Sequence, residues 1–334
     1  MPTTALYQLA QTFLELAPWK SWEETDLLKI IHPVTNEVAY ISIMGQIEQH
    51  RAMALYLGDS AIARYYTMLG DDPHDSYHHE DDTQSLIMET RQLQLSFGTR
   101  KELQPDQIKK IKQLGFNFRG NNWPIFRSYE AGYGPGDLNE EEISWLTIAL
   151  EQFMALFNAH AEEVPSVFRE NGEVLEILTL LHREGRWTQE WQFHDDSEHE
   201  WSTPEPSGFL VAKIQQNKPA LDIECHFFHL PALIGDWRKP KLGYIAISAD
   251  TKSGMLLGAD ILSIENQSYE QMIDSVPNTF LQQWIKAGVR PASLRVKSIT
   301  CFSLLEITAA DLDVTIQRYD RLPALDRAIQ HLPF

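Results

Sequence analysis

From Thr4 the apolar positions Leu6, Leu9, Phe13 and Leu14 fall at helical spacing, and Pro18 limits how far such a helix can run. Two β-rich runs follow, Leu27 to Ile31 and Val38 to Met44; the turn formers Pro33-Val34-Thr35-Asn36 between them predict a hairpin. Gly45 lets the chain leave the strand. Ile47, Ala52, Ala54, Leu55 and Tyr56 then predict a helix up to Gly58, and Ala61 to Met68 predicts another. Ser85 to Met88 and Leu93 to Phe97 read as a further strand pair, and Leu103 to Leu114 as a helix with Pro105 near its first turn. Asn139-Glu140-Glu141-Glu142 matches a capping box, and Ile143, Leu146, Leu150, Phe153, Met154 and Phe157 extend an apolar stripe to about His160.

In the middle of the chain polar residues interrupt the patterns. Gly172 to His182 reads as helical, Arg186 to Phe193 alternates like a strand, and Trp201 to Gly208 has linker composition. Phe209 to Ile214 and Leu221 to Phe228 alternate with period two and predict a strand pair. From Leu242 come a strand to Ser248, a turn at Asp250 to Gly254, a strand from Met255 to Ile264, and a helix from Tyr269 that Pro277 should interrupt. Leu294 to Val296, Phe302 to Asp311, Val314 to Gln317 and Leu325 to Ile329 follow as strand, helix, strand and helix. The order β-β-α-β-α-β-α implies a mixed sheet with packed helices, because parallel strands need crossovers. The expected fold class is α+β in two domains, each a mixed or antiparallel sheet with helices. The expected boundaries are an N-terminal α+β domain over 1–162, a connecting region over 163–208 and a C-terminal α/β domain over 209–334.

Composition fits this division: 334 residues, 43% hydrophobic and 22% charged, are enough for about two cores. Charge adds a constraint on partners. Forty-seven acidic residues against 28 Lys and Arg leave a net charge of −19, which opposes direct nucleic-acid binding and anionic membrane surfaces. Cys225 and Cys301 form no C-x-x-C arrangement, so a reducing cytoplasm is expected. No basic residue precedes Lys20, and no apolar run approaches the roughly 18 residues of a membrane span. A cytoplasmic protein without a membrane anchor is therefore expected.

Candidate chemistry is sparse. His74 and His78 have metal-ligand spacing, but they lie in the acidic run Asp71 to Asp82, which reads more simply as a solvated loop; His194 to His199 is a similar knot. In Cys225-His226-Phe227-Phe228-His229 a strand would send the two histidines to opposite faces, and Cys225 alternates with Leu221, Ile223 and Phe227 as a small buried hydrophobe. The C-terminal topology invites comparison with ribonuclease-H-like nucleases, whose first strand carries a metal-binding Asp, and Asp250 ends a strand. A hairpin there puts Asp260 opposite about Tyr244 or Ile245, about 16 Å from Asp250 at roughly 3.3 Å per residue, whereas paired catalytic metals sit roughly 4 Å apart. Asp250 is better read as a turn former. Nucleophile-elbow, Walker and dinucleotide motifs are missing from the sequence. The reading therefore assigns no catalytic residue, no metal site and no cofactor.

What remains is the stretch from Phe116 to Leu138, where aromatics interleave with arginines and turn formers. Trp123, Tyr129 and Tyr133 offer apolar faces with polar handles, and Arg119 and Arg127 offer planar donors for a carboxylate or phosphate; these five are the candidate ligand-binding set. The competing reading has the aromatics pinning a long loop to the first core.

Tyr40-Ile41-Ser42-Ile43-Met44-Gly45, Tyr56-Leu57-Gly58, Trp123-Pro124-Ile125-Phe126-Arg127 and Gly132-Tyr133-Gly134-Pro135 resemble the landmarks of a family of uncharacterised bacterial proteins. The resemblance covers mainly the first half of the chain. It implies a bacterial source and carries over no activity, cofactor or catalytic residue. The functional expectation is a binding or protein-interaction protein for an unidentified small anionic ligand or protein partner. A metal-dependent hydrolase or nuclease-like enzyme, using His74 and His78 or Asp250, is the alternative.

Overall fold

The computed structural model describes residues 2–47, 50–69, 86–160, 166–172, 174–194 and 203–331. It is an α+β chain in two compact units. One comprises Met1–Leu69, Thr90–Glu130 and Pro135–His199; the other comprises Gly70–Glu89, Ala131–Gly134 and Glu200–Phe334.

Eight described strands build the sheet of the first unit: β1 (Leu28–Ile31), β2 (Val38–Met44), β3 (Ala52–Leu57), β4 (Gln92–Gly98), β5 (Trp123–Tyr129), β6 (Phe168–Asn171), β7 (Val174–Arg183) and β8 (Arg186–Phe193). Their order is β5-β4-β3-β2-β1-β7-β6, with β8 also pairing β7. Every pairing is antiparallel except β1 with β7. Period-two alternation turns Leu28, Ile30, Ile41, Ile43, Leu55, Leu93 and Leu95 into the main core. Helix α1 (Thr4–Leu16), capped by the Thr3 hydroxyl, adds Leu6, Tyr7, Ala10 and Phe13 to that core. Helices α2 (Asp59–Leu69) and α3 (Pro105–Gln113) follow, and α4 (Glu140–Ala159) starts at the expected Asn139/Glu142 capping box. Leu146, Leu150 and Phe153 of α4 are fully buried in the main core, each worth roughly 1.5–3 kcal/mol of burial. Ala61, Ile62 and Tyr65 of α2 pack instead with Tyr40, Ala54 and Tyr56 in a second, smaller cluster.

In the second unit, after helix α5 (Gly208–Gln215), come β9 (Pro219–Ile234), β10 (Lys241–Asp250), β11 (Leu256–Ser263), β12 (Arg290–Val296) and β13 (Thr315–Arg318), ordered β11-β10-β9-β12-β13. The β11-β10-β9 side is antiparallel and the β9-β12-β13 side parallel. Helices α6 (Tyr269–Ala287) and α7 (Ile299–Leu312) supply the crossovers that parallel pairing requires. They bury Met272, Val276, Phe280, Trp284, Leu304 and Leu305 with Ile223, Cys225 and Phe227. Ile245, Ile247 and Ala249 pack with Leu322, Ala324 and Leu325 at the start of α8 (Pro323–Ile329). No described helix is long and apolar enough to cross a membrane.

Six expectations change. Ala52 to Tyr56 is strand β3 rather than helix: paired on both sides and buried at every position, it needs the continuous apolar run of a central strand, which periodicity cannot tell from a helix. Val174 to His182 is strand β7, paired with β6, β8 and β1 and buried over its middle, Ile177 to Leu181; its hairpin to β8 turns at Glu184-Gly185, both at positive φ. Residues 168–193, placed in a connecting region, thus extend the first sheet. Residues 86–89 form a helical turn, and Phe209 to Ile214 lies within α5, where Val211 and Ile214 share the buried face. Pro277 does not interrupt α6, which loses one backbone donor and continues, because both of its ends are strongly capped by Ser268 and Gly288.

Candidate functional site

The aromatic stretch is loop only at its two ends. Its centre is β5, an edge strand where Pro124 faces Phe97 without breaking an interior ladder. Trp123 is 9% exposed and packs near Phe118 with a ring separation of 6.2 Å, so it is a core residue. Arg119 is exposed and offers its carbonyl to the Asn122 N–H at 3.1 Å. Arg127 lies on the sheet with Nη1 3.7 Å from Asp137, and Tyr129 donates its hydroxyl to Gln94 at 3.3 Å while burial raises its phenol pKa. Tyr133 belongs to the second unit, bridging Lys241, with Lys239 Nζ 4.2 Å from its ring centre. Gly132 is required there: at φ +83 its absent Cβ would lie 2.8 Å from Ile264. Of the five candidate residues, Arg119, Trp123, Arg127 and Tyr129 thus lie in the first unit, on or just before β5, and Tyr133 lies in the second.

What Trp123 does is hold the residues just before it. Asn121 and Asn122 line a cleft of about 620 Å³ in the first unit, together with Trp19, Lys20, His50, Arg51, Phe97 and Glu102. The left-handed Ala17 ends α1, and the 3-10 turn Pro18–Lys20 carries Trp19 back to within 5.8 Å of Phe13 and 6.2 Å of Phe97. Arg51 immediately precedes β3, and its guanidinium carbon lies 5.7 Å from the Trp19 ring centre and 6.0 Å from that of Phe97. Nη2 of Arg51 donates to the Asn121 carbonyl at 2.6 Å and to Asn122 Oδ1 at 3.0 Å. Among the described residues its Nε and Nη1 make no hydrogen bond and no carboxylate pairs with it. Gly45 makes this approach possible, since a Cβ there would stand 2.9 Å from Arg51 Cα.

Glu102, also lining the cleft, closes the 3-10 turn Arg100–Glu102. Its Oε1 accepts from the Thr99 backbone N–H at 2.6 Å and from the Thr99 hydroxyl at 2.8 Å. Those two donors, the backbone one first, lower the Glu102 pKa. Gly98 lets the carboxylate come close: a Cβ would meet both of its oxygens at 2.7 Å. Burial lowers the His50 pKa, opposed by the charge of Glu102. Sequence reasoning missed Lys20, His50, Arg51 and Glu102, and took Asn121 and Asn122 only as turn formers. The helix assigned over Ile47 to Tyr56 hid the one useful signal, a lone arginine at the mouth of an apolar strand.

The remaining candidates of the second unit are engaged in the fold. Asp250 accepts from the backbone of Lys252 at 3.3 Å, from the backbone of Ser253 at 2.9 Å and from the Ser253 hydroxyl, as a turn former does, and these bonds lower its pKa. Asp260 pairs with Ala246 and accepts from Gln283 at 2.9 Å. The first strand of this sheet is β9, so its acids are Asp222 and Glu224 instead of Asp250. Asp222 accepts from Ser293 at 2.7 Å, and Glu224 Oε2 accepts from the Ala324 and Leu325 N–H groups at 2.8 and 2.9 Å. His226 and His229 face Ile247 and Tyr244 across the ladder, on opposite faces, and Cys225 is fully buried. Among the described residues no three His, Cys, Asp or Glu side chains gather as metal ligands. His74, His78 and residues 195–199 lie outside the described residues.

No curated protein and no solved structure matches the chain. Residues 210–333 match a second domain of unknown function, DUF6930. Residues 4–179, more than half of the chain and including every residue of the cleft, match the domain of unknown function DUF7309, and the protein belongs to that family.

Proposed function

We propose that the first unit is a binding module that takes a small anionic ligand on Arg51. The observation that carries this reading is the guanidinium itself, pinned through Nη2, laid near two aromatic faces and, among the described residues, left without a carboxylate partner in a chain of net charge −19. A pre-oriented arginine with two unused donors suits the planar oxygens of a carboxylate or phosphate. The cleft volume of about 620 Å³ falls in the range of small-molecule sites, and Lys20 adds a second cation. A protein partner would meet the same donors through an acidic side chain. A bacterial cytoplasm is the setting this reading takes, in keeping with two buried free thiols, Cys225 and Cys301.

Calorimetric titration of the full chain with inorganic phosphate and with succinate tests the proposal. Wild type should bind at least one of the two, and Arg51→Gln should weaken that binding tenfold or more without changing the unfolding midpoint. Equal binding by both proteins, or no heat with either probe, would overturn it.

A further inference from the structure

Arg51 and Glu102 face the same cleft without forming an ion pair, and each keeps unused hydrogen-bonding capacity. Glu102 directs Oε1 to Thr99, while Oε2 accepts no hydrogen bond among the described residues. Asn122 completes the donor side: because its Oδ1 accepts from Arg51, its amide nitrogen is oriented away from that bond with both hydrogens to give. One part of the cleft therefore offers N–H donors and positive charge, and another offers a carboxylate oxygen.

We propose that the ligand of this cleft is amphoteric, carrying an oxyanion for Arg51 and Asn122 and a cationic amine for Glu102. This inference rests on the anion-binding reading and adds the second half of the ligand. A ligand with an oxyanion alone would leave Glu102 close to its own negative charge, at an electrostatic cost; a cationic amine converts that cost into a charge-assisted hydrogen bond. The Thr99 donors, which hold the Glu102 pKa below its ordinary value, keep this acceptor ionised at neutral pH. His50, whose pKa burial lowers, is neutral there and does not compete for Glu102 as a cation.

The test uses two matched probe series on the full chain: ω-amino acids from glycine to 6-aminohexanoate, and the unsubstituted carboxylates of the same lengths. Titration should show at least one amino acid binding tenfold or more tightly than its carboxylate counterpart. Glu102→Gln should abolish that preference and raise carboxylate affinity, since glutamine keeps the Thr99 bonds while the repelling charge is gone. Arg51→Gln should weaken both series. If the carboxylates bind as tightly as their amino counterparts, or if the preference survives in Glu102→Gln, the amphoteric assignment fails while anion binding stands. If phosphate and succinate both fail to bind, the anion-binding reading fails with it.

Discussion

The two units contrast most clearly in one polar side chain of each, Gln283 in the second and Arg51 in the first. In the second, Gln283 is 1% exposed and completely engaged: its amide nitrogen donates to the Ala246 carbonyl at 2.8 Å and to Asp260 at 2.9 Å, and its oxygen accepts from Ser248 at 2.6 Å. Glu224 serves the fold through Oε2 alone, holding the first two backbone N–H groups of α8, while its Oε1 is buried without a hydrogen bond among the described residues. The first unit has engaged networks as well, such as Glu142 with Arg91 at 2.6 Å and Ser128 at 2.7 Å. At its cleft, however, Arg51 and Glu102 are each held by one part of the side chain and, among the described residues, left open at another. Charged groups that are immobilised but unpaired point to a ligand; buried groups that are fully paired point to architecture.

The strongest way to break this contrast is Glu224→Ala. It orphans the Ala324 and Leu325 N–H groups and should cost about 3 kcal/mol, read from denaturant unfolding, with ligand titration at the first unit unchanged. Glu224→Gln sharpens the same point through pH. Desolvation, opposed by the two backbone donors, raises the folded-state pKa of Glu224 above its ordinary 4.5. Its contribution to stability is then fully present below that unfolded value and is lost as pH rises through the raised folded value. Glu224→Gln should flatten this decline on the acid-to-neutral side, and an unchanged pH profile would count against the assignment.

Gly258→Ala comes next. A Cβ at Gly258 would lie 2.3 Å from Gln283 Cγ, so the Ser248-Gln283-Asp260 network must shift, at a cost of about 1–3 kcal/mol. A variant as stable as wild type would show that Gln283 has room to move and that the network is not fixed by packing. Smallest is Glu190→Ala: Glu190 and Arg183 are 37% and 61% exposed despite a 2.7 Å contact, and removal should change stability by less than about 0.5 kcal/mol. A larger loss would mean that surface ion pairs matter to the first sheet as much as its core.

Much of the fold was legible along the chain. The capping box at Asn139, the β1–β2 hairpin and the crossover order from Leu242 onward rest on local signals: caps, turn formers and hydrophobic period. The errors fell where those signals are silent. The run over β3 is apolar without interruption because the strand is buried on two faces, as is the middle of β7 from Ile177 to Leu181, and sequence period carries no information about a neighbour's presence.

For the candidate site the sequence supplied less. Composition and charge disfavoured polyanionic partners, and the missing motifs left no catalytic set to build on. That Trp123 is a core pin, that Tyr133 belongs to another unit, and that Arg51 meets Asn121 and Asn122 some seventy positions away are matters of tertiary contact. The physical reason is that periodicity and capping act over a few residues, whereas a binding site depends on which charges, brought together from distant segments, are left without partners once the backbone has closed on itself.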